Sequence, residues 1–218
     1  MVVSMKDLLK FYSRLSAALL LLLLCHSTVQ AAEPFRVVVS IKPIHSILAG
    51  LMEGTEGPEL LIGDGETPYG FQLSPRQQEN LSSADLLIWV GPELEASLEQ
   101  PIKQLGERVR VLELLSNPDM KVLPSRNSDE RRDPFFWLDD RNAILLLNQF
   151  ALILQEADPA RAHLYLRNRR QMMQRLTLLD REFEYGYRGL KAGLAVQYYD
   201  TLQYFEQAYA LTVLNRVA

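Results

Sequence analysis

The sequence predicts an α/β fold, with an N-terminal parallel-sheet lobe, a long linker helix and an incomplete second α/β lobe. Three observations lead there. Short apolar runs without alternation, "VVVSI" and "LLIWV", recur between amphipathic stretches, as strands buried on both faces do. Strand and helix patterns alternate along the first half, the arrangement of a parallel sheet covered by helices. From Ala160 to Arg188 the only glycine is Gly186 and there is no proline, a helical pattern much longer than its neighbours.

In chain order, Lys6, Lys10 and Arg14 precede an unbroken apolar stretch from Ala17 to Cys25 and the small-residue pattern Val29-Gln30-Ala31. Residues 1–31 read as a secretory signal peptide, because the apolar stretch is about half the roughly 20 residues that a membrane span needs. Residues 32–138 read as the first lobe. Val37 to Ile41 is a buried strand, Ile44 to Glu53 a helix with Ile44, Ile47, Leu48 and Leu51 on one face, and Leu60 to Ile62 a short strand. A turn-rich loop, "GDGETPYGFQL", leads to a helix opened by Ser74-Pro75 and ending near Ser83. Then come the strand "ADLLIWVG", a helix from Glu93 to Leu105 and a strand from Arg110 to Leu114. Pro124 to Asp133, polar and charge-mixed, reads as an exposed flexible loop. Residues 139–157 form a helix completing the lobe, capped by Asp139 or Asp140. Residues 158–192 form the linker helix, with Leu164, Met172, Leu176, Leu179, Phe183, Tyr187 and Leu190 along one stripe; the Met172-Met173 pair fits core filling better than a soft-metal site. Residues 193–218 open a second lobe with a strand Leu194 to Tyr198, a helix Thr201 to Tyr209 and a strand Leu211 to Leu214. The chain is then expected to stop with that lobe truncated.

Composition narrows the function. The net charge is −4, and removing residues 1–31, with three basic and one acidic side chain, makes it −6, so no nucleic-acid partner is expected. The same cut removes Cys25, the only cysteine, and His26, leaving His45 and His163 as the only imidazoles. Stability must therefore come from packing rather than disulfides. No nucleophile motif, His-Glu-x-x-His or glycine-rich phosphate loop is present, so the chain does not read as an enzyme.

Several segments together resemble one family. "VVVSIKPIHSILAGLMEG" is similar to its first strand and helix, and "LIGDGETPYGFQLSPRQQENLSSADLLIWVGPELE" to its next stretch. "DPFFWLDDRNA" resembles its Asp-Pro-His-x-Trp-Leu segment, and "VQYYDTLQYFEQAYAL" the opening of its second lobe. The family is that of the zinc-binding solute-binding proteins of bacterial metal ABC importers. The resemblance implies export to the periplasm, two α/β lobes joined by a long rigid helix, a metal in the cleft between them and delivery to an inner-membrane permease.

The resemblance also locates a departure. Where the family carries ligand histidines, this chain has Tyr69, Phe135 and Tyr199. A benzene ring offers no lone pair, and a phenol with an ordinary pKa near 10 is a poor zinc ligand at neutral pH. No metal site is expected to be intact, and no cofactor is expected, zinc being the family's cargo. Three readings stay open for the cleft: aromatic bulk filling a dead site, a pocket for a small organic ligand held against ring faces, or residual metal binding through His45, Glu66 or Asp200. For Phe136, Trp137 and Leu138 the resemblance implies packing within the lobe, and for Phe135 a place in the cleft. An alternative function is an interaction protein docking on a permease or a homologue, or self-associating through the open second lobe.

Overall fold

Three valines in a row, Val37–Val39, form the first strand, β1, and all three are buried, as a central parallel strand requires. The computed structural model describes residues 35–188, 195–211 and 213–216. The leader expected over residues 1–31 lies outside them, as do Leu190 and Leu194. Helix α1 (Lys42–Leu51) starts two residues before the expected position, because the fixed φ of Pro43 suits a first helical turn. It buries Ile44, Leu48 and Leu51 against the sheet. Strand β2 (Glu59–Leu60) follows. Helix α2 (Pro75–Ser83) is opened by a full capping box, in which Ser74 Oγ accepts the Gln77 N–H while Gln77 Oε1 accepts the Ser74 N–H. Strands β3 (Leu86–Trp89) and β4 (Arg110–Glu113) complete a four-stranded, all-parallel sheet of order β2-β1-β3-β4.

The single helix expected over Glu93 to Leu105 is broken into α3 (Pro92–Glu95), a 3-10 turn and α4 (Glu99–Lys103). Glu95 leaves helical geometry at φ −121°, ψ 50°, and its carboxylate turns back to accept the Val90 and Gly91 N–H groups at 2.9 and 3.1 Å. Gly91 makes this corner at φ 144°, where a Cβ would also crowd Leu115 and Glu93 at 3.3 Å.

The segment read as a flexible loop is instead an antiparallel hairpin, β5 (Pro124–Ser125) and β6 (Ser128–Arg132), with Arg126-Asn127 as its two-residue turn. Ion pairs hold it. The Arg132 guanidinium meets Glu93 and Glu113 and donates to the Leu115 carbonyl at 2.8 Å.

Helix α5 (Asp140–Ala157) is capped by Asp139, whose carboxylate accepts the Arg141 N–H, and buries Leu146, Leu147, Phe150 and Leu154. Helix α6 (Ala162–Tyr187) has 26 residues, about 39 Å at 1.5 Å per residue. Its most buried side chains are Tyr165 and Asn168 rather than the leucines of the expected stripe, and Leu179 is exposed. Asn168 Nδ2 donates to the Leu51 and Glu53 carbonyls, satisfying the open end of α1. Met172 fills the space over Gly50, where a Cβ would come within 2.5 Å of its sulfur. Near the far end of α6, Phe183 and Tyr187 pack edge-on against Phe205 of α7 (Gln203–Tyr209). Strands β7 (Ala195–Gln197) and β8 (Val213–Arg216) pair in parallel on either side of α7 in sequence, a second strand–helix–strand unit.

Candidate functional site

Sites in open parallel sheets form beyond the carboxyl ends of the strands. Here those ends meet the hairpin and the β7–α7 segment around a cavity of about 1070 Å³. Its walls come from the N-terminus of α1, the loop after β2, the start of α3, the hairpin, the Asp133–Trp137 segment and the turn from Tyr199 to Gln203.

Three ring positions singled out in the sequence, Tyr69, Phe135 and Tyr199, share this cavity. Each is placed by a local device. The Tyr69 N–H donates to Thr67 Oγ1 within the turn-rich loop, and 56% of the residue is exposed. The Phe135 N–H donates to Asp133 Oδ1 at 2.9 Å, a side-chain turn that sets the ring at the wall. Tyr199 stacks edge-on with Tyr198 at 4.7 Å and is 65% exposed. Of the neighbouring aromatics, Phe136 is fully buried in the core, as its packing role requires. Trp137 touches Phe135 and Phe136 edge-on at 5.5 and 5.4 Å and lines the cavity as well, a site role beyond the packing assigned to it.

The three candidates for residual metal binding are placed differently. His45 is not at the cavity; its Nε2 lies 3.0 Å from the Pro58 carbonyl, so the imidazole ties α1 to the chain before β2. Glu66 lines the cavity, but its carboxylate folds back on its own loop to accept the Gly63 N–H at 2.7 Å and the Gln77 amide. Asp200 lines it too and accepts a hydrogen bond from Arg126 at 2.7 Å. The same guanidinium grips Glu206 of α7 at 2.6 and 3.1 Å. Among the described residues, no three His, Cys, Asp or Glu side chains come together closely enough to hold a metal ion.

The electrostatics follow from this packing. Partial burial holds the Tyr69 phenol above its ordinary range; Arg131 lowers it and Asp133 raises it further. Burial also raises the Asp133 carboxyl, with the Phe135 N–H offsetting part of the shift and nearby Asp200 adding to it. Hydrogen bonds to Glu206 hold the Arg126 guanidinium more firmly charged. A benzene ring has no lone pair to offer a metal ion, and an unionised phenol is a weaker ligand than an imidazole.

Sequence reasoning missed Arg126, Asp133, Glu93 and Gln203, all at the cavity wall. The signal for Arg126 was the turn-forming Asn127 beside it between two serines, which reads as a hairpin once its long-range partners are seen. Gln203 and Glu93 carried no local signal.

A family model described as zinc-uptake complex component A, periplasmic, matches residues 37–217. The high-affinity zinc uptake system protein ZnuA of Brucella abortus (strain 2308) is 27% identical over 228 residues, covering 86% of this chain and 68% of that protein. The metal ABC transporter substrate-binding lipoprotein ScbA of Streptococcus cristatus is 23% identical over 197 residues, covering 85% of this chain and 64% of that protein. Among solved structures, the Zn(II)-bound ZnuA-like domain of Streptococcus pneumoniae AdcA superposes with a TM-score of 0.72 at 21% identity, covering 84% of this chain and 66% of that one. The periplasmic zinc binding protein TroA from Treponema pallidum gives 0.74 at 21% identity, covering 84% and 68%. The chain thus spans about two thirds of the length of the proteins it matches, and the structural likeness is one of fold.

Proposed function

The chain belongs to the family of the periplasmic zinc-uptake complex component A, and from that premise we propose that it acts outside the cytoplasm as the solute-binding component of an ABC importer, with a cleft that does not grip zinc through imidazole nitrogen. Members of the family are binding components of transport systems rather than enzymes. They work with a permease and an ATPase, and docking on such a permease is the partnership proposed for this chain.

The observation that carries the reading is the convergence of Tyr69, Phe135 and Tyr199 on one cavity. A tetrahedral zinc site needs four N, S or O donors. The three rings supply two phenols and no imidazole, while Arg126 already neutralises two nearby acids, Asp200 and Glu206. A resident guanidinium beside those carboxylates repels a second cation there.

Calorimetric titration of the purified chain with zinc tests the reading. The expected result is no binding in the nanomolar range. Nanomolar, one-to-one binding reversed by a chelator overturns it.

A further inference from the structure

The charges at the cavity wall are unevenly matched. Three of its four basic side chains are ion-paired, Lys42 with Asp64, Arg126 with Asp200 and Glu206, and Arg132 with Glu93 and Glu113; the fourth, Arg131, makes no ion pair among the described residues and donates to the Glu93 carbonyl at 3.2 Å. Its acceptors are less fully used. Glu93 gives one carboxylate oxygen to Arg132, and the other, Oε2, is buried without a hydrogen bond among the described residues. Asp133 is 5% exposed, accepts the Phe135 N–H, and makes no ion pair among the described residues. Gln203 is 7% exposed and its Oε1 has no hydrogen-bond partner among the described residues. All three line the one cavity, and two of them are carboxylates, so the donor that fits is positively charged.

The rest of the wall says what kind of cation. Tyr69, Phe135, Trp137 and Tyr199 present ring surface, which attracts a weakly hydrated organic cation far better than it attracts a metal ion. The volume, about 1070 Å³, lies just above the usual range of organic-ligand sites, roughly 300–1,000 Å³, and leaves ample room for a small organic molecule.

We propose that this cleft binds a small organic ammonium cation, its nitrogen facing Asp133, Glu93 and Gln203 and its carbon framework lying on Phe135, Trp137, Tyr69 and Tyr199. This rests on reading the cleft as a solute site. A zinc titration with nanomolar binding sinks that reading. Failure of the ammonium probes in a chain that also ignores zinc sinks only the present inference.

The test is calorimetry and tryptophan fluorescence on the full chain with choline and n-butylammonium, against the neutral choline isostere 3,3-dimethylbutan-1-ol and against acetate. At least one ammonium probe is expected to bind and to change the Trp137 emission, with the isostere about tenfold or more weaker and acetate silent. Asp133→Asn keeps an oxygen for the Phe135 N–H but removes the charge, and is expected to weaken binding about tenfold or more. Tyr199→Ala, at an exposed ring, is expected to weaken it several-fold with the melting temperature unchanged. No response to either ammonium probe at millimolar concentration overturns the proposal. So does equal binding of the neutral isostere, or an affinity untouched by Asp133→Asn and Tyr199→Ala in folded proteins.

Discussion

Replacing Glu95 by glutamine removes a carboxyl that is fully buried at the corner after β3. One oxygen is occupied by the Val90 and Gly91 N–H groups; the other is near the Ser40 hydroxyl but, among the described residues, in hydrogen-bond geometry with none. Burial pushes the carboxyl up from 4.5 to about 7, against the pull of the Ser40 hydroxyl and the two N–H groups. In the unfolded chain it ionises at its ordinary value. The folded state therefore holds the proton more tightly, and the associated stability is complete below about pH 4.5 and lost as pH rises through about 7. A shift of about 2.5 units, at 1.36 kcal/mol each, makes that loss about 3 kcal/mol. Glutamine keeps an acceptor for the N–H groups and cannot ionise, so Glu95→Gln should flatten this part of the profile. Urea unfolding of both proteins from pH 4.5 to 8.5, followed by circular dichroism, gives stability against pH. The wild-type curve should fall relative to the variant by about 3 kcal/mol across that range, or about 6–12 °C in melting temperature for a chain of this size. The variant's absolute stability does not enter, because only the difference in slope is compared. Parallel curves would refute the reasoning.

Tyr204 is fully buried; its hydroxyl donates to the Asp133 carbonyl at 3.0 Å and accepts the Leu123 N–H at 2.8 Å. Tyr204→Phe should cost about 1–3 kcal/mol in chemical denaturation, and a loss below the error of the measurement would show that neither bond contributes. Arg126→Ala removes a guanidinium bound to two largely buried carboxylates, whose side chains are 7 and 8% exposed. It should destabilise by about 3 kcal/mol at neutral pH, the lower end for breaking a buried pair because Arg126 itself is a quarter exposed. Combined with Asp200→Asn, it should show a coupling of about 0.5–3 kcal/mol between the two positions, and strictly additive losses would refute the electrostatic account.

What could be read from the sequence divides by the range of the forces involved. Strands β1 and β3 were legible because a parallel strand covered on both faces must be apolar throughout, as Val37–Val39 and Leu86–Trp89 are. The start of α2 was legible because Ser74-Pro75 satisfies the helix end locally, and Asp139 does the same for α5. The hairpin was not legible. Its residues are polar, and what orders them is Arg132 reaching Glu93, 39 positions away, and Arg126 reaching Glu206, 80 positions away. The break after Glu95 was hidden for a related reason, since a helix-favouring residue turns its carboxylate inward to serve a strand end. At the site, the resemblance located Tyr69, Phe135 and Tyr199, whereas only the fold brings Asp133, Glu93 and Gln203 to the same wall.

Arg126 links these two levels. The guanidinium lies in the turn of a hairpin anchored to the first sheet through Arg132, Glu93 and Glu113, and it reaches across the cavity to Asp200 and Glu206. A metal ion in a cleft draws the carboxylates of its two sides together by coordination. A guanidinium does so by charge-assisted hydrogen bonds, with three contacts between 2.6 and 3.1 Å here, and it is covalently part of one side. The chain's own side chains therefore tie the β7–α7 segment to the hairpin, and Tyr204 adds a second tie between the same two parts. Ligand binding in such a cleft need not supply the energy of closure. It has only to fill the aromatic space and satisfy Asp133, Glu93 and Gln203, so affinity should depend on those groups and very little on the acids that Arg126 already neutralises.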